Sequence, residues 1–107
     1  MEIMDRIKEQ VENHAVLIYM KGTPQMPQCG FSSRAVAALQ QCGQEFSYVN
    51  ILMEPEIHRN LPRFSNWPTF PQIFINGELV GGCDILMELY ENGQLKQMVE
   101  QATAGLG

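Results

Sequence analysis

Cysteine is scarce in this sequence, with three residues in 107. A small and odd number of cysteines does not suggest a disulfide framework, and it indicates a reducing compartment. Long apolar runs are also missing, because none approaches the roughly 20 residues of a membrane-spanning helix. The first five residues are acidic and amphipathic, unlike the basic start of a secretory signal. We therefore expect a cytoplasmic protein that does not enter a membrane.

Positive charge is scarce as well. Seven Lys and Arg residues stand against twelve Asp and Glu residues, which gives a formal net charge of −5. Because contacts with nucleic-acid phosphates need a basic surface, this balance argues against a general nucleic-acid binder. The same balance argues against docking on an anionic membrane surface.

The sequence does have the length and apolar content of one globular domain. Its 107 residues are 45% hydrophobic, so the chain can bury a core without disulfides, and we expect a single domain over residues 1–107. Helical and strand-like apolar patterns follow one another in the order α-β-α-β-α-β-β-α-α. The predicted helices cover residues 2–13, 31–42, 55 to about 61, 83–91 and a last segment around 95–99, and the predicted strands cover residues 15–20, 46–50, 72–75 and 78–80. This order predicts an α/β fold with a small mixed sheet and helices on both faces.

Turn-forming residues set several of these boundaries. Asn76-Gly77 between two apolar runs is the strongest local pattern in the chain, and it predicts a type I′ β-hairpin. Pro55 suits the first turn of a helix, and Pro62 predicts that this helix ends near residue 61. Residues 21–28 contain glycine and two prolines and are predicted to form a loop.

The first candidate for chemistry is Cys29, which precedes a predicted helix in the sequence Cys29-Gly30-Phe31-Ser32. Unpaired N–H groups and the helix dipole stabilise a thiolate at such a position, and Lys21 is placed to add positive charge. Because Ser32 stands where a Cys-x-x-Cys site has its second thiol, dithiol catalysis in this motif is excluded. We expect a reactive or metal-ligating thiol, and an inert thiol is the alternative.

Two further segments have the chemistry of ligand contacts. A cis Pro71 would hold the backbone groups of Phe70 open toward a ligand, although an ordinary turn proline is the simpler interpretation. Two glycines before Cys83 and Asp84 let the backbone approach a ligand, and the helix that begins there favours a carboxylate. Alternatively, Asp84 only complements the helix dipole. Cys42 follows an amphipathic helix and is interpreted as a buried packing residue.

Together these motifs resemble the monothiol glutaredoxins of the CGFS class. The sequence CGFS at 29–32 has Lys21 upstream, and the sequences WPTFPQ at 67–72 and GGCD at 81–84 follow in the same order. The long loop over residues 21–28 is also typical of the class. The resemblance covers about residues 3–103, and the length is similar to the short, single-domain forms. It implies a thioredoxin-like fold with a four-stranded mixed sheet flanked by helices.

The resemblance also implies the roles of individual residues. Cys29 would ligate the iron of a 2Fe-2S cluster shared with a second subunit, and it would be the reactive thiol. Lys21 would pair with the glycyl carboxylate of glutathione. Phe70, before a cis proline, would bond the cysteinyl backbone of glutathione, while Cys83 and Asp84 would hold its γ-glutamyl end.

One position departs from the family pattern. Members of the class often have an arginine in the third helix that helps to bind the glycyl carboxylate. This sequence has His58 at that position, with Arg59 next to it. Because consecutive helical residues point about 100° apart, Arg59 is not an automatic substitute for the arginine. We expect His58 to contribute to the glutathione site.

The function that the resemblance implies is glutathione-dependent binding and transfer of 2Fe-2S clusters, in iron–sulfur protein biogenesis and iron homeostasis. Such a cluster needs four thiolates, so two chains and two glutathione molecules would complete it in a homodimer. The implied partners are apo iron–sulfur proteins and a BolA-like protein, which would share a cluster in a regulatory pair. The alternative is a monothiol oxidoreductase that removes glutathione from protein mixed disulfides. We expect that activity to be weak or absent.

Overall fold

The computed structural model describes residues 2–104, and the order of its elements agrees with the prediction. The helices are α1 (Ile3–Asn13), α2 (Gly30–Gln41), α3 (Pro55–Ser65), α4 (Cys83–Glu91) and α5 (Gln94–Ala104). The strands are β1 (Val16–Met20), β2 (Ser47–Asn50), β3 (Gln72–Ile75) and β4 (Glu78–Gly81). A short 3₁₀ helix, Ile51–Met53, was not predicted. None of the helices between residues 2 and 104 combines the length and apolar character that a membrane crossing requires.

The four strands form one mixed sheet in the order β2-β1-β3-β4. β1 runs parallel to β2 and antiparallel to β3, and β3 pairs antiparallel with β4. β1 therefore has a partner on each side, and all five of its residues are buried. Because successive residues of a strand point to opposite faces, burial of all five means that both faces of β1 are covered. A strand covered on both faces has no polar side, which explains its continuous apolar sequence.

Each face of the sheet carries its own hydrophobic core. Alternate side chains of β1 point to opposite faces: Ile18 and Met20 pack in one core with α2, α4 and α5, whereas Leu17 and Tyr19 pack in the other with α1 and α3. The fold is the thioredoxin-like arrangement that the resemblance implied. Helices α2 and α4 lie on one face of the sheet, and α3 lies on the other.

The prediction that α3 ends near residue 61 was wrong. The helix continues through Pro62 to Ser65, although proline removes one helical N–H donor. Burial compensates for this loss, because Leu61 is fully buried and Phe64 packs against the same core. The helix ends at Asn66, which adopts the left-handed conformation with φ 55°. Tertiary packing therefore sets the end of α3.

The predicted hairpin is confirmed. Asn76 and Gly77 join β3 to β4 with φ values of 52° and 81°. Positive φ at both positions is what a type I′ turn requires. The hairpin places β4 at the edge of the sheet, and the chain passes from β4 into α4.

Candidate functional site

All six predicted site residues line one cleft of about 910 Å³. They come from segments that are distant in the sequence: the chain just after β1, the starts of α2 and α4, the middle of α3 and the segment before β3. The six residues are Lys21, Cys29, His58, Phe70, Cys83 and Asp84. The fold therefore brings a thiol, a lysine, an imidazole and a helix N-terminus together around one cavity.

Cys29 is the residue that caps the N-terminus of α2, and it is half-exposed. Its pKa is lowered, chiefly by the backbone N–H of Ser32. Partial burial opposes this shift, while the N–H of Phe31 and the charge of Lys21 lower the pKa further. A thiolate that is accessible from a cleft can act as a nucleophile or as a metal ligand.

Ser32, which stands where a dithiol motif has its second cysteine, also has a structural role. Its side chain is fully buried, and its Oγ accepts a hydrogen bond of 3.1 Å from the backbone N–H of Lys21. The same hydroxyl makes the smallest of the contributions that lower the pKa of Cys29. Ser32 thus joins the end of β1 to the start of α2. Sequence analysis did not find this role, since the motif by itself does not show what lies opposite Ser32.

Replacing this hydroxyl should affect both the fold and the thiol. The Ser32→Ala variant leaves the Lys21 N–H without its acceptor, so we expect the free energy of unfolding to fall by about 1–2 kcal/mol. It also removes one of the groups that lower the pKa of Cys29, so this pKa should rise slightly. Denaturant unfolding and the pH dependence of Cys29 alkylation measure the two effects. The neighbouring Ser33 is exposed, so Ser33→Ala is the matched control. An unchanged alkylation midpoint in Ser32→Ala would contradict this role.

The loop over residues 21–28 is an ordered turn. The backbones of Thr23 and Met26 exchange two hydrogen bonds of 3.2 and 3.1 Å, and the Gln28 N–H donates to the Lys21 carbonyl at 2.9 Å. Backbone hydrogen bonds therefore join the two ends of the loop to each other and also close its middle. The sequence predicted a loop here, and the structure adds that it is hydrogen-bonded internally and leads directly to Cys29.

His58 faces the cleft from α3, and Arg59 does not line it. The imidazole ring meets the ring of Phe70 edge to face, with 5.2 Å between the ring centroids and 88° between the planes. Arg59 is exposed. Of the two neighbouring residues, His58 alone is placed to contact a ligand in this cleft.

The segment before β3 is held by a side chain that the sequence did not single out. The peptide bond between Phe70 and Pro71 is cis. This is the form that the family resemblance implied, while the local sequence favoured an ordinary turn proline. Gln72 is fully buried, and its amide donates to the carbonyls of Trp67 at 2.9 Å and Thr69 at 3.2 Å. Gln72 therefore fixes the shape of the chain that presents Phe70 to the cleft.

The glycine before α4 makes room for its neighbours in the protein. A Cβ atom at Gly82 would lie 3.2 Å from both the indole nitrogen of Trp67 and the carbonyl oxygen of Pro71. The sequence predicted that this glycine allows close approach of a ligand. In the structure, the close neighbours are Trp67 and Pro71, so the small residue lets the segment before β3 pack on the start of α4.

The other two thiols differ from Cys29. Cys83 is buried, and burial together with the negative charge of Asp84 raises its pKa. Cys42 is also buried, and its Sγ donates to the carbonyl of Ala38 at 3.4 Å. Burial raises the pKa of Cys42 as well, and the prediction that this residue is buried in the core is confirmed. Cys29 is thus the one cysteine whose environment favours the thiolate.

Within residues 2–104, no group of three or more His, Cys, Asp and Glu side chains is placed to hold a metal ion. Cys29 fits the chemistry of an iron ligand, since its thiolate is favoured and reaches the cleft. Of the two cysteines that line the cleft, Cys29 is the one whose thiolate is favoured, since the pKa of Cys83 is raised.

Comparison with known proteins gives close matches over most of the chain. Residues 16–80 match the sequence profile of the family described as Glutaredoxin. A relative named Glutaredoxin 4 from Buchnera aphidicola (subspecies Acyrthosiphon pisum, strain APS) is 56% identical over 99 residues, which cover 92% of each chain. This similarity extends well beyond the motifs around the cleft.

Solved structures agree with the sequence matches. The solution structure of reduced poplar apo GrxS14 superposes with a TM-score of 0.79 at 43% identity, covering 94% of this chain and 92% of that one. The crystal structure of a buckwheat glutaredoxin–glutathione complex superposes with a TM-score of 0.82 at 25% identity, covering 94% and 90%. The fold and the element order are therefore shared with both.

Proposed function

Since this chain belongs to the glutaredoxin family, we propose that it is a monothiol member of the CGFS class that binds glutathione and carries a 2Fe-2S cluster. The observation that carries the proposal is the arrangement at the start of α2. Cys29 has a lowered pKa and reaches the cleft, while the buried Ser32 occupies the place of a resolving thiol. A site with one thiolate suits ligation of a metal cluster better than dithiol exchange.

Glutathione would lie along the cleft with its thiol beside Cys29. Its glycyl carboxylate would meet Lys21 and His58, which both line the cleft. The backbone of Phe70 would bond the cysteinyl part of the peptide. The γ-glutamyl carboxylate would accept hydrogen bonds from the backbone N–H groups of Cys83 and Asp84, because the N-terminus of α4 favours an anion.

The cluster would be cargo held between two copies of the chain. Each copy supplies Cys29, and two glutathione thiols complete the four thiolates that a 2Fe-2S cluster needs. The bound form is then a homodimer that requires free glutathione, which suits the reducing cytoplasm predicted from the sequence. Apo iron–sulfur proteins would receive the cluster, and a BolA-like protein would take the place of one copy.

Anaerobic reconstitution tests this function. The chain is incubated with an iron salt and sulfide, with and without glutathione, and visible absorption and mass by gel filtration are recorded. We expect a coloured dimer only when glutathione is present. A protein that stays colourless with glutathione would overturn the cluster assignment, and a coloured monomer without it would overturn the ligand count.

A second candidate function is favoured by the accessible, low-pKa thiol of Cys29. Such a thiolate can attack the glutathione sulfur of a protein mixed disulfide, which releases the protein thiol and leaves glutathione bound to Cys29 as a disulfide. Free glutathione then attacks this disulfide, which restores the Cys29 thiol and releases glutathione disulfide. We expect slow turnover. The Ser32→Cys variant should gain little, because position 32 is fully buried. A standard mixed-disulfide assay coupled to glutathione reductase decides this, and rapid turnover that disappears in Cys29→Ser would make the chain an oxidoreductase.

His58 should bind the glycyl carboxylate less strongly than an arginine would. Arginine can bind a carboxylate with two parallel charge-assisted bonds, whereas one imidazole N–H makes a single bond. The His58→Arg variant should therefore tighten glutathione binding by about 1–2 kcal/mol.

Calorimetric titration of glutathione measures this effect. Both proteins carry Cys29→Ser, so that titration of the thiol does not contribute. Arg59→Gln is the matched control, because the exposed Arg59 does not line the cleft and its loss should leave the affinity unchanged. Equal glutathione affinities with His58 and with His58→Arg would reject the role of His58.

A further inference from the structure

The side chain of Asn50, the last residue of β2, joins two separate segments. Its Oδ1 accepts a hydrogen bond of 3.0 Å from the backbone N–H of Gly22 and another of 3.0 Å from the N–H of Leu52. Gly22 belongs to the loop over residues 21–28, and Leu52 lies in the 3₁₀ helix. A single oxygen atom therefore ties this loop to the end of the sheet.

This bond falls next to Lys21. The Lys21 N–H is held by the Oγ of Ser32, its carbonyl accepts the N–H of Gln28, and the following N–H, that of Gly22, is held by Asn50. The backbone of Lys21 is thus fixed on both sides, while its side chain lines the cleft and its charge acts on Cys29. The bond from Asn50 is the one contact in this set that comes from β2.

We propose that Asn50, which does not line the cleft, is a positioning residue for glutathione that acts through Lys21 by fixing the loop over residues 21–28. This role rests on the proposed glutathione site. If the loop leaves its place for part of the time, Lys21 is available to the glycyl carboxylate only for the remaining fraction. The apparent affinity is then the full affinity multiplied by that remaining fraction.

The chemistry of the two contacts provides a pair of matched variants. Both use the side-chain oxygen as an acceptor, so Asn50→Asp retains both, and Asn50→Leu keeps a similar size but removes both. The extra negative charge of Asn50→Asp is screened by working in about 0.5 M salt, where the Debye length is only a few ångströms.

The test measures amide hydrogen exchange and glutathione affinity. In Asn50→Leu, the amides of Gly22 and Gln28 should exchange faster and glutathione should bind about tenfold more weakly, as expected if the loop is in place for a tenth of the time. Asn50→Asp should restore both properties. Unchanged affinity in Asn50→Leu, or no restoration by Asn50→Asp, would overturn the proposal.

A double-mutant cycle separates this role from a general loss of stability. If Asn50 acts through Lys21, Asn50→Leu should change the affinity little in a chain that already carries Lys21→Gln. Independent, additive losses would overturn the proposal. Asn92→Leu is the stability control, because the Asn92 side chain accepts from the Gln94 N–H at the start of α5, away from the cleft. It should reduce stability and leave the affinity unchanged.

The outcomes also distinguish this inference from the proposed function. Absence of glutathione binding by the unaltered chain would reject the proposed site and the role of Asn50 with it. Binding by the unaltered chain with no loss in Asn50→Leu would reject the role of Asn50 alone.

Discussion

The Cys29→Ser variant should remain colourless and monomeric when it is treated with iron, sulfide and glutathione. Cys29 is the cysteine whose surroundings lower the thiol pKa, and it reaches the cleft. Within residues 2–104, no group of three or more His, Cys, Asp and Glu side chains is placed to hold a metal ion in its absence. A serine hydroxyl is a hard and poorly ionised ligand for iron–sulfur chemistry, which uses thiolates. We therefore expect complete loss of the visible absorption.

Cys42→Ala is the matched control for this experiment. Cys42 is buried against Ala38 and its pKa is raised, so its removal should leave the colour and the dimer intact. Circular dichroism and thermal unfolding establish that both variants are folded. A coloured Cys29→Ser protein would show that another group holds the cluster. Loss of colour in a folded Cys42→Ala protein would show that its thiol has a role beyond packing.

The fold was predictable wherever the deciding interactions are local. The apolar run of β1 and the Asn76-Gly77 turn each carry their own pattern, and the structure confirms both. The end of α3 depends on distant contacts. Local chemistry favours a stop at Pro62, but burial of Leu61 and packing of Phe64 extend the helix to Ser65. A sequence pattern does not include the energy of such packing.

The candidate site divides in the same way. The family resemblance names five of the six candidate residues, and His58 stands at the position where the family often has an arginine. No sequence pattern identifies the side chains that hold these residues in place. Ser32 bonds a group 11 residues away, and Asn50 bonds one 28 residues away. Gln72 looks like an ordinary strand residue, although it is fully buried and holds two carbonyls. Their roles depend on the three-dimensional neighbourhood.

Gly22→Ala should disrupt the loop over residues 21–28 and cause the largest loss of stability among these variants. Gly22 has a φ of +94°, which strains any residue with a Cβ atom. A Cβ atom there would also lie 2.5 Å from the Met26 carbonyl oxygen and 2.7 Å from the Gln28 nitrogen. Both are backbone atoms of the same loop, so the loop must open. We expect the free energy of unfolding to fall by about 3 kcal/mol and glutathione affinity to fall by more than about tenfold.

Gly43→Ala separates the backbone strain from the steric clash. Gly43 has a similar φ of +78°, but a Cβ atom there has nothing within 4 Å. It should therefore lose only about 1–2 kcal/mol of stability and keep its glutathione affinity, because it does not line the cleft. Denaturant unfolding and calorimetry with glutathione compare the two variants. Equal losses of stability would show that the clash at position 22 is relieved without cost. Unchanged glutathione binding in Gly22→Ala would show that the loop does not need its closed form to present Lys21.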